Sequence, residues 1–208
     1  MTITQYDKNM LSWKRGSIFF LFLILAYTSK SQIVFKVDPV SKMIITGTST
    51  LHDWTSEVTL TKGTISFIAD QGKITGISRV SLEIPVESIK NDKSLMNTKT
   101  YEALKSDEFP IIRFNVVKLT KFSGNSVTAS GTLNIAGKSR EIELFVDIVK
   151  SGEDKIIVRG EKSLKMSDFG VEPPTALMGT IKTGDEITIK FETTFTTLGK
   201  SENVTLGN

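Results

Sequence analysis

Apolar and polar residues alternate with period two along most of the chain beyond Gln32. Val80, Leu82, Ile84 and Val86 are interleaved with Ser81, Glu83 and Pro85, and Ile142, Leu144, Val146 and Ile148 with Glu143 and Asp147, although Phe145 interrupts the polar phase. Val127, Ala129, Leu133 and Ile135 keep one phase, and Ile187, Ile189, Phe191 and Phe195 alternate with Thr188, Lys190, Glu192, Thr194 and Thr196. Successive strand side chains point to opposite faces, so each segment predicts a strand with one oily and one wet face. Shorter candidates are 33–37, 42–48, 57–68, 112–120 and 155–165. Glycine-bearing turns separate the runs, at Lys62-Gly63, Asp70-Gln71-Gly72, Ser123-Gly124-Asn125, Ala136-Gly137-Lys138 and Ser151-Gly152-Glu153-Asp154. Connections this short favour antiparallel hairpins over crossovers. About eight strands joined in this way predict one all-β domain, a barrel or a sandwich.

One stretch has a different period. Residues 97–105 read as a short helix, with Asn97 as N-cap, a staple between Met96 and Tyr101, and Pro110 preventing continuation. A helix inside an all-β chain needs a surface to lie on. It would either plug a barrel's end or form a lid over a cavity.

The first 31 residues stand apart. Lys8, Lys14 and Arg15 precede the apolar run Ile18–Tyr27, and Ser29 and Ser31 flank Lys30 ahead of Gln32. That order predicts an export signal cleaved after Ser31, leaving 32–208 as the mature barrel domain. Ten apolar residues rise only about 15 Å as a helix, too short for a hydrocarbon core of about 30 Å. The mature chain would then have no membrane span, and with no Cys after the run it would carry no lipid anchor. The formal charge of +3 belongs to this segment. Removing Lys8, Lys14, Arg15 and Lys30 together with Asp7 leaves a neutral protein, periplasmic or secreted, with no basic run for nucleic acid.

The chemistry available is narrow. The absence of Cys excludes disulfides, a thiolate nucleophile and Cys-ligated metals, and a single His excludes a multi-histidine metal site. His52, in Ser49-Thr50-Leu51-His52-Asp53-Trp54, is the one imidazole available to a Ser–His–Asp arrangement, but no Gly-x-Ser-x-Gly elbow accompanies it. It is read either as a histidine donating to a neighbouring backbone or carboxylate group, or as a polar contact for a ligand's head group. Asp168-Phe169-Gly170 lacks the partner motifs of kinases, and the Asn203-Val204-Thr205 sequon carries little information. No catalytic or metal residue and no cofactor is assigned.

Several blocks occur in order: Asp38-Pro39, Ser88-Ile89, Leu95-Met96, Leu104 to Phe114 with Phe109-Pro110-Ile111-x-x-Phe114, Gly131-x-Leu133-x-Ile135-x-Gly137-x-x-Arg140, and Ser167-Asp168-Phe169-Gly170. Over nearly all of the mature chain they resemble the YceI-like family of exported proteins. The resemblance implies an eight-stranded, lipocalin-like antiparallel barrel with one short helix, whose apolar lumen takes a long isoprenoid chain. Two positions depart from the family's pattern, Val40-Ser41 after Asp38-Pro39 and Met166 two residues before Asp168. Alternation and size nominate Phe67, Leu82, Ile84, Phe114, Leu133, Ile135, Leu144 and Val146 for the lumen. Met96, Tyr101, Leu104, Met166, Phe169 and Met178 are nominated for its mouth, with His52, Trp54 and Arg113 for a head group. The expected function is carriage or sequestration of an isoprenoid-like or other amphipathic ligand, by a monomer or a homodimer. The alternatives are an interaction module whose lumen is packed solid, and a hydrolase using His52.

Overall fold

The computed structural model describes residues 31–197, apart from 40, 71–72, 124, 153 and 177. The expected export segment, bar Ser31, and the Asn203 sequon lie outside the described residues.

The strands are β1 (Ser31–Val37), β2 (Lys42–Ser49), β3 (Trp54–Val58), β4 (Lys62–Asp70), β5 (Lys73–Pro85), β6 (Ile89–Lys90), β7 (Ile111–Ser123), β8 (Ser126–Ile135), β9 (Lys138–Lys150), β10 (Lys155–Lys165), β11 (Thr175–Ala176) and β12 (Ile181–Thr197). Three consecutive pairs, β1 with β2, β3 with β4 and β5 with β6, behave as single bent staves. β1 pairs with β4 while β2 pairs with β3, and β4 pairs with β5 while β3 pairs with β6. Both β1 and β2 hydrogen-bond to the long β12, which closes the ring. The result is a closed eight-stranded antiparallel barrel in which neighbours in sequence are neighbours in space. Closure removes the free sheet edge over most of the ring, but β9 and β10 pair only from Ile156↔Lys150 to Gly160↔Val146 and part beyond it. The first bend falls at Asp38-Pro39, where proline supplies no ladder donor. Ser41 covers the break by donating its hydroxyl to the Asp38 carbonyl and accepting from the Thr194 amide.

The alternation read from the sequence sets the inner face, with two changes of phase. In β7 the partners of Val116 and Lys118 are Gly131 and Ser130, so Val117 is an extra residue. A bulge of this kind turns the next side chain to the other face. Val116 and Leu119 both face the lumen as a result, and Val117 is 69% exposed. A second bulge, opposite Ser66 and Phe67, lets Ile77 and Val80 share the inner face of β5. Val86, expected to continue the β5 strand, instead opens a 3₁₀ turn (Val86–Ser88) and is buried there.

The interior divides into two regions. At one end Phe35, Ile65, Phe67, Ile156 and Phe195 form a compact cluster, with the Phe35 and Phe67 rings edge to face at 5.3 Å. At the other end the strands surround a hollow. Two glycines keep ring space open there. A Cβ on Gly131 would strike the Phe114 ring, and one on Gly160 would strike that of Phe191.

The helix α1 (Ser94–Leu104) crosses this second end and begins three residues earlier than expected. Asn97 does not cap it. Its side chain instead accepts from the Asn91 amide at 2.7 Å and donates to the Asn91 carbonyl at 3.0 Å, tying the approach loop to the helix. The expected Met96–Tyr101 staple is therefore a pair inside the helix. Lys105, in the left-handed region at φ 52°, ends it.

Candidate ligand-binding cavity

The hollow has a volume of about 450 Å³, within the ordinary range for small-molecule sites of about 300–1,000 Å³. Its walls are apolar and mostly aliphatic: Ile142, Leu144, Val146 and Ile148 from β9, Val127, Ala129, Leu133 and Ile135 from β8, and Ile187, Ile189 and Phe191 from β12. Leu82 and Ile84 of β5 and Ile112 and Phe114 of β7 complete them. Ile65 and Phe195 form the floor, and α1 forms the roof. Met96, Lys99, Thr100 and Ala103 recur at the spacing of one helical face, and all four line the cavity together with Leu104. No residue of α1 is fully buried. It roofs the hollow, with Ala103 and Leu104 packed against the core cluster beneath.

Of the residues nominated from sequence, Leu82, Ile84, Met96, Leu104, Phe114, Leu133, Ile135, Leu144, Val146, Met166 and Phe169 line the cavity, as do His52 and Trp54 at the mouth. Four do not. Phe67 belongs to the solid end, where its ring packs on Phe35. Tyr101 turns away from the hollow. Its hydroxyl lies 3.0 Å from the Ile89 carbonyl, accepts from Lys90 Nζ at 2.8 Å, and so pins α1 to β6. Arg113 stands between the inward Ile112 and Phe114, so the pleat sends it outward to pair with Glu83 at 3.1 Å. Met178 projects from the loop before β12 and is fully exposed.

The mouth also holds residues not nominated. Leu51 and Leu95, 65% and 61% exposed, stand on its rim, and Lys93, Lys162 and Lys165 line it. Lys162 was detectable in the sequence, being in phase with Val158 and Leu164 on β10. His52 Nδ1 donates to the Asp53 carbonyl at 2.9 Å, and Trp54 Nε1 donates to the Thr48 carbonyl at 3.1 Å. The hydroxyl of Ser49 is engaged with the backbone of Leu51 and His52 in a tight turn. Among the described residues no three His, Cys, Asp or Glu side chains gather as a metal site. Among them, too, no helix is long and apolar enough to cross a membrane.

The model of the YceI-like domain matches residues 26–195. The chain belongs to the YceI-like family. Solved structures agree on the barrel. BcnA of Burkholderia cenocepacia superposes with a TM-score of 0.64 at 19% identity, over 76% of this chain and 98% of its own. A polyisoprenoid-binding domain from Saccharophagus degradans, implicated in plant cell wall breakdown, gives 0.63 at 15% identity, over 79% and 99%. The Campylobacter jejuni YceI protein gives 0.56 at 21%, over 70% and 85%. Among curated proteins none matches.

In this YceI-like barrel the sequence blocks meet around the cavity's open end. The Phe109 ring lies where a Cβ on Gly137 would be, in the β8–β9 turn at φ 77°. Arg140 Nε donates to the Asp168 carbonyl at 2.9 Å, fastening the 3₁₀ turn Met166–Phe169 to β9. Asp185 of β12 clasps the same turn, accepting from the Ser167 hydroxyl at 2.6 Å and the Ser167 amide at 2.8 Å. These two bonds hold its carboxyl below the ordinary value of 3.8. A depressed carboxylate pKa contributes stability at neutral pH that is lost as pH falls through the folded value. Asp185→Asn should therefore melt below the wild type at pH 6, with the gap narrowing as pH falls below the ordinary value of 3.8, as a series of thermal melts across that range would show.

Proposed function

We propose that this YceI-like protein is exported and, without catalysis, carries or sequesters an isoprenoid-like or other amphipathic apolar molecule in the barrel lumen. The observation that carries this reading is the hollow itself, an aliphatic slot with a solid floor and a helical roof. Apolar surface removed from water contributes about 25 cal/mol per Å², so a chain-like ligand gains affinity from the walls alone. The description of the Saccharophagus relative as polyisoprenoid-binding supports the ligand class. The tripartite pattern of residues 1–31 supports export, to the periplasm or beyond the cell. A module with a packed lumen would need the space that is empty here. For the hydrolase alternative, His52 offers a ring already engaged with its neighbour's carbonyl.

Native mass spectrometry of gently purified mature protein tests the reading. A mass increment that organic solvent extracts as a lipid is expected, and the same spectrum reports whether the barrel is single or paired. Bare polypeptide, combined with no uptake of polyprenyl or quinone analogues, would overturn the proposal.

A further inference from the structure

The carrier reading, on which this inference rests, leaves one lumen side chain unaccounted for. β10 turns its even-numbered residues inward: Ile156 packs in the solid end, and Val158 and Leu164 line the hollow. Lys162 belongs to the same series. It pairs across the sheet with Ile189, itself a lumen residue, is half-buried, and lines the cavity. Alternation calls for an aliphatic side chain there, and the chain supplies an ammonium.

The charged groups on the outward face nearby pair with one another, Arg159 with Glu192 at 2.8 Å and Lys190 with Glu161 at 3.7 Å. Lys162 has no carboxylate partner among the described residues. Two of the other lysines of the mouth have acidic neighbours. Lys99 is paired with Glu102 at 2.7 Å, and Lys165 lies close enough to Asp185 to favour its charged form. Lys93 pairs with no carboxylate among the described residues. No Asp or Glu among the described residues lines the cavity. The cavity lining thus holds two lysines, Lys162 and Lys93, with no carboxylate partner among the described residues, and of these Lys93 also borders the adjoining surface hollow lined by Asp53, Glu57 and Asp92.

We propose that the cavity selects amphiphiles with an anionic head, a carboxylate or a phosphate, seated on the Lys162 ammonium with the tail directed at the Phe195 floor. While the slot is empty, the four-carbon stem of Lys162 covers apolar wall and its head reaches water through the mouth. A tail that fills the slot expels that water. A neutral head then leaves the ammonium desolvated and unpaired, which is costly. An anionic head restores a short charge-assisted hydrogen bond. The selectivity arises as much from the penalty on neutral ligands as from the gain on charged ones.

Displacement of Nile red from the mature protein tests this with three probes: geranylgeranyl phosphate, oleate and uncharged geranylgeraniol. Both anions should compete about tenfold or more better than the alcohol. Oleate and the phosphate together report whether one head or either is taken, and a preference for at least one anion supports the proposal. Lys162→Met should bring the probes to within about threefold of one another, and Lys162→Arg should keep the preference. If the Met variant does not fold, Lys162→Gln takes its place. Alcohol binding as well as both anions, or a preference that survives loss of the lysine, would overturn the head assignment and leave the carrier reading standing. Failure of Nile red and all three probes to bind would overturn both.

Discussion

Phe195→Ala is expected to lower the free energy of unfolding by about 3–5 kcal/mol, and Leu144→Ala by less than about 2 kcal/mol. Both residues face the interior of the same barrel, and size alone would not separate them so far. Phe195 is 2% exposed, sits among Phe35, Ile65, Phe67 and Ile156, and lies where β12 pairs with β1 on one side and β10 on the other. Removing its ring leaves a void walled by side chains that cannot collapse, at the seam that closes the barrel. Leu144 faces Ala129 across the sheet, packs at the edge of the cluster around Phe114 and Leu133, and presents the rest of its side chain to the hollow. Truncating it enlarges a cavity that already exists and forfeits few contacts. Urea unfolding at unchanged m-value gives both numbers from the shift in midpoint. Equal losses would mean that the interior is not divided into a solid and a hollow end.

The barrel was legible in the sequence because period-two alternation is imposed on any strand with one buried face. On β8, β9 and β12 every inward aliphatic named from the pattern faces the interior. Legibility failed where the period breaks. Val117 and Ser78 are the extra residues of bulges, and nothing in their identity announces a change of phase. The helix start was misplaced because Asn97 is a sound cap by type, yet its amide found a better partner in the backbone of Asn91. The outward side of Arg113 is legible, since the inward phase of Ile112 and Phe114 places it there. Lys162 was equally readable by phase, but a lysine among aliphatics invites assignment to the wet face.

Whether the interior is hollow was not legible at all. The same alternation serves a filled barrel and an empty one. What differs is the size of the residues that meet at each level. Phe35, Phe67 and Phe195 converge at one end, whereas further along Ala129 lies between Leu119 and Leu144, and Gly131 and Gly160 make room for the Phe114 and Phe191 rings, neighbours that only the register reveals. Register is a long-range property, and a single sequence does not print it. The family blocks were visible for a different reason. Phe109 against Gly137 and Arg140 against Asp168 are close structural contacts that tolerate few residue types, and they fasten the rim of the cavity without lining the part a ligand would fill.

Ala129→Trp should abolish uptake of the apolar ligand while leaving the barrel folded. Ala129 is an inward residue of β8, flanked across the sheet by Leu119 and Leu144, and its small side chain borders the hollow. An indole there projects into empty volume. The usual cost of overpacking, about 1–3 kcal/mol in a filled core, is then largely avoided, and the new ring gains contact with aliphatic walls that had none. The free energy of unfolding should stay within about 1 kcal/mol of the wild type, and affinity for a polyprenyl probe should fall by about a hundredfold, because a chain cannot pass the ring to reach the Phe195 floor. Circular dichroism and probe titration on the same sample separate the two effects. Undiminished binding by a folded Ala129→Trp protein would place the ligand outside the lumen, leaving the cavity as a packing defect and the rim residues Leu51 and Leu95 as the surface to examine.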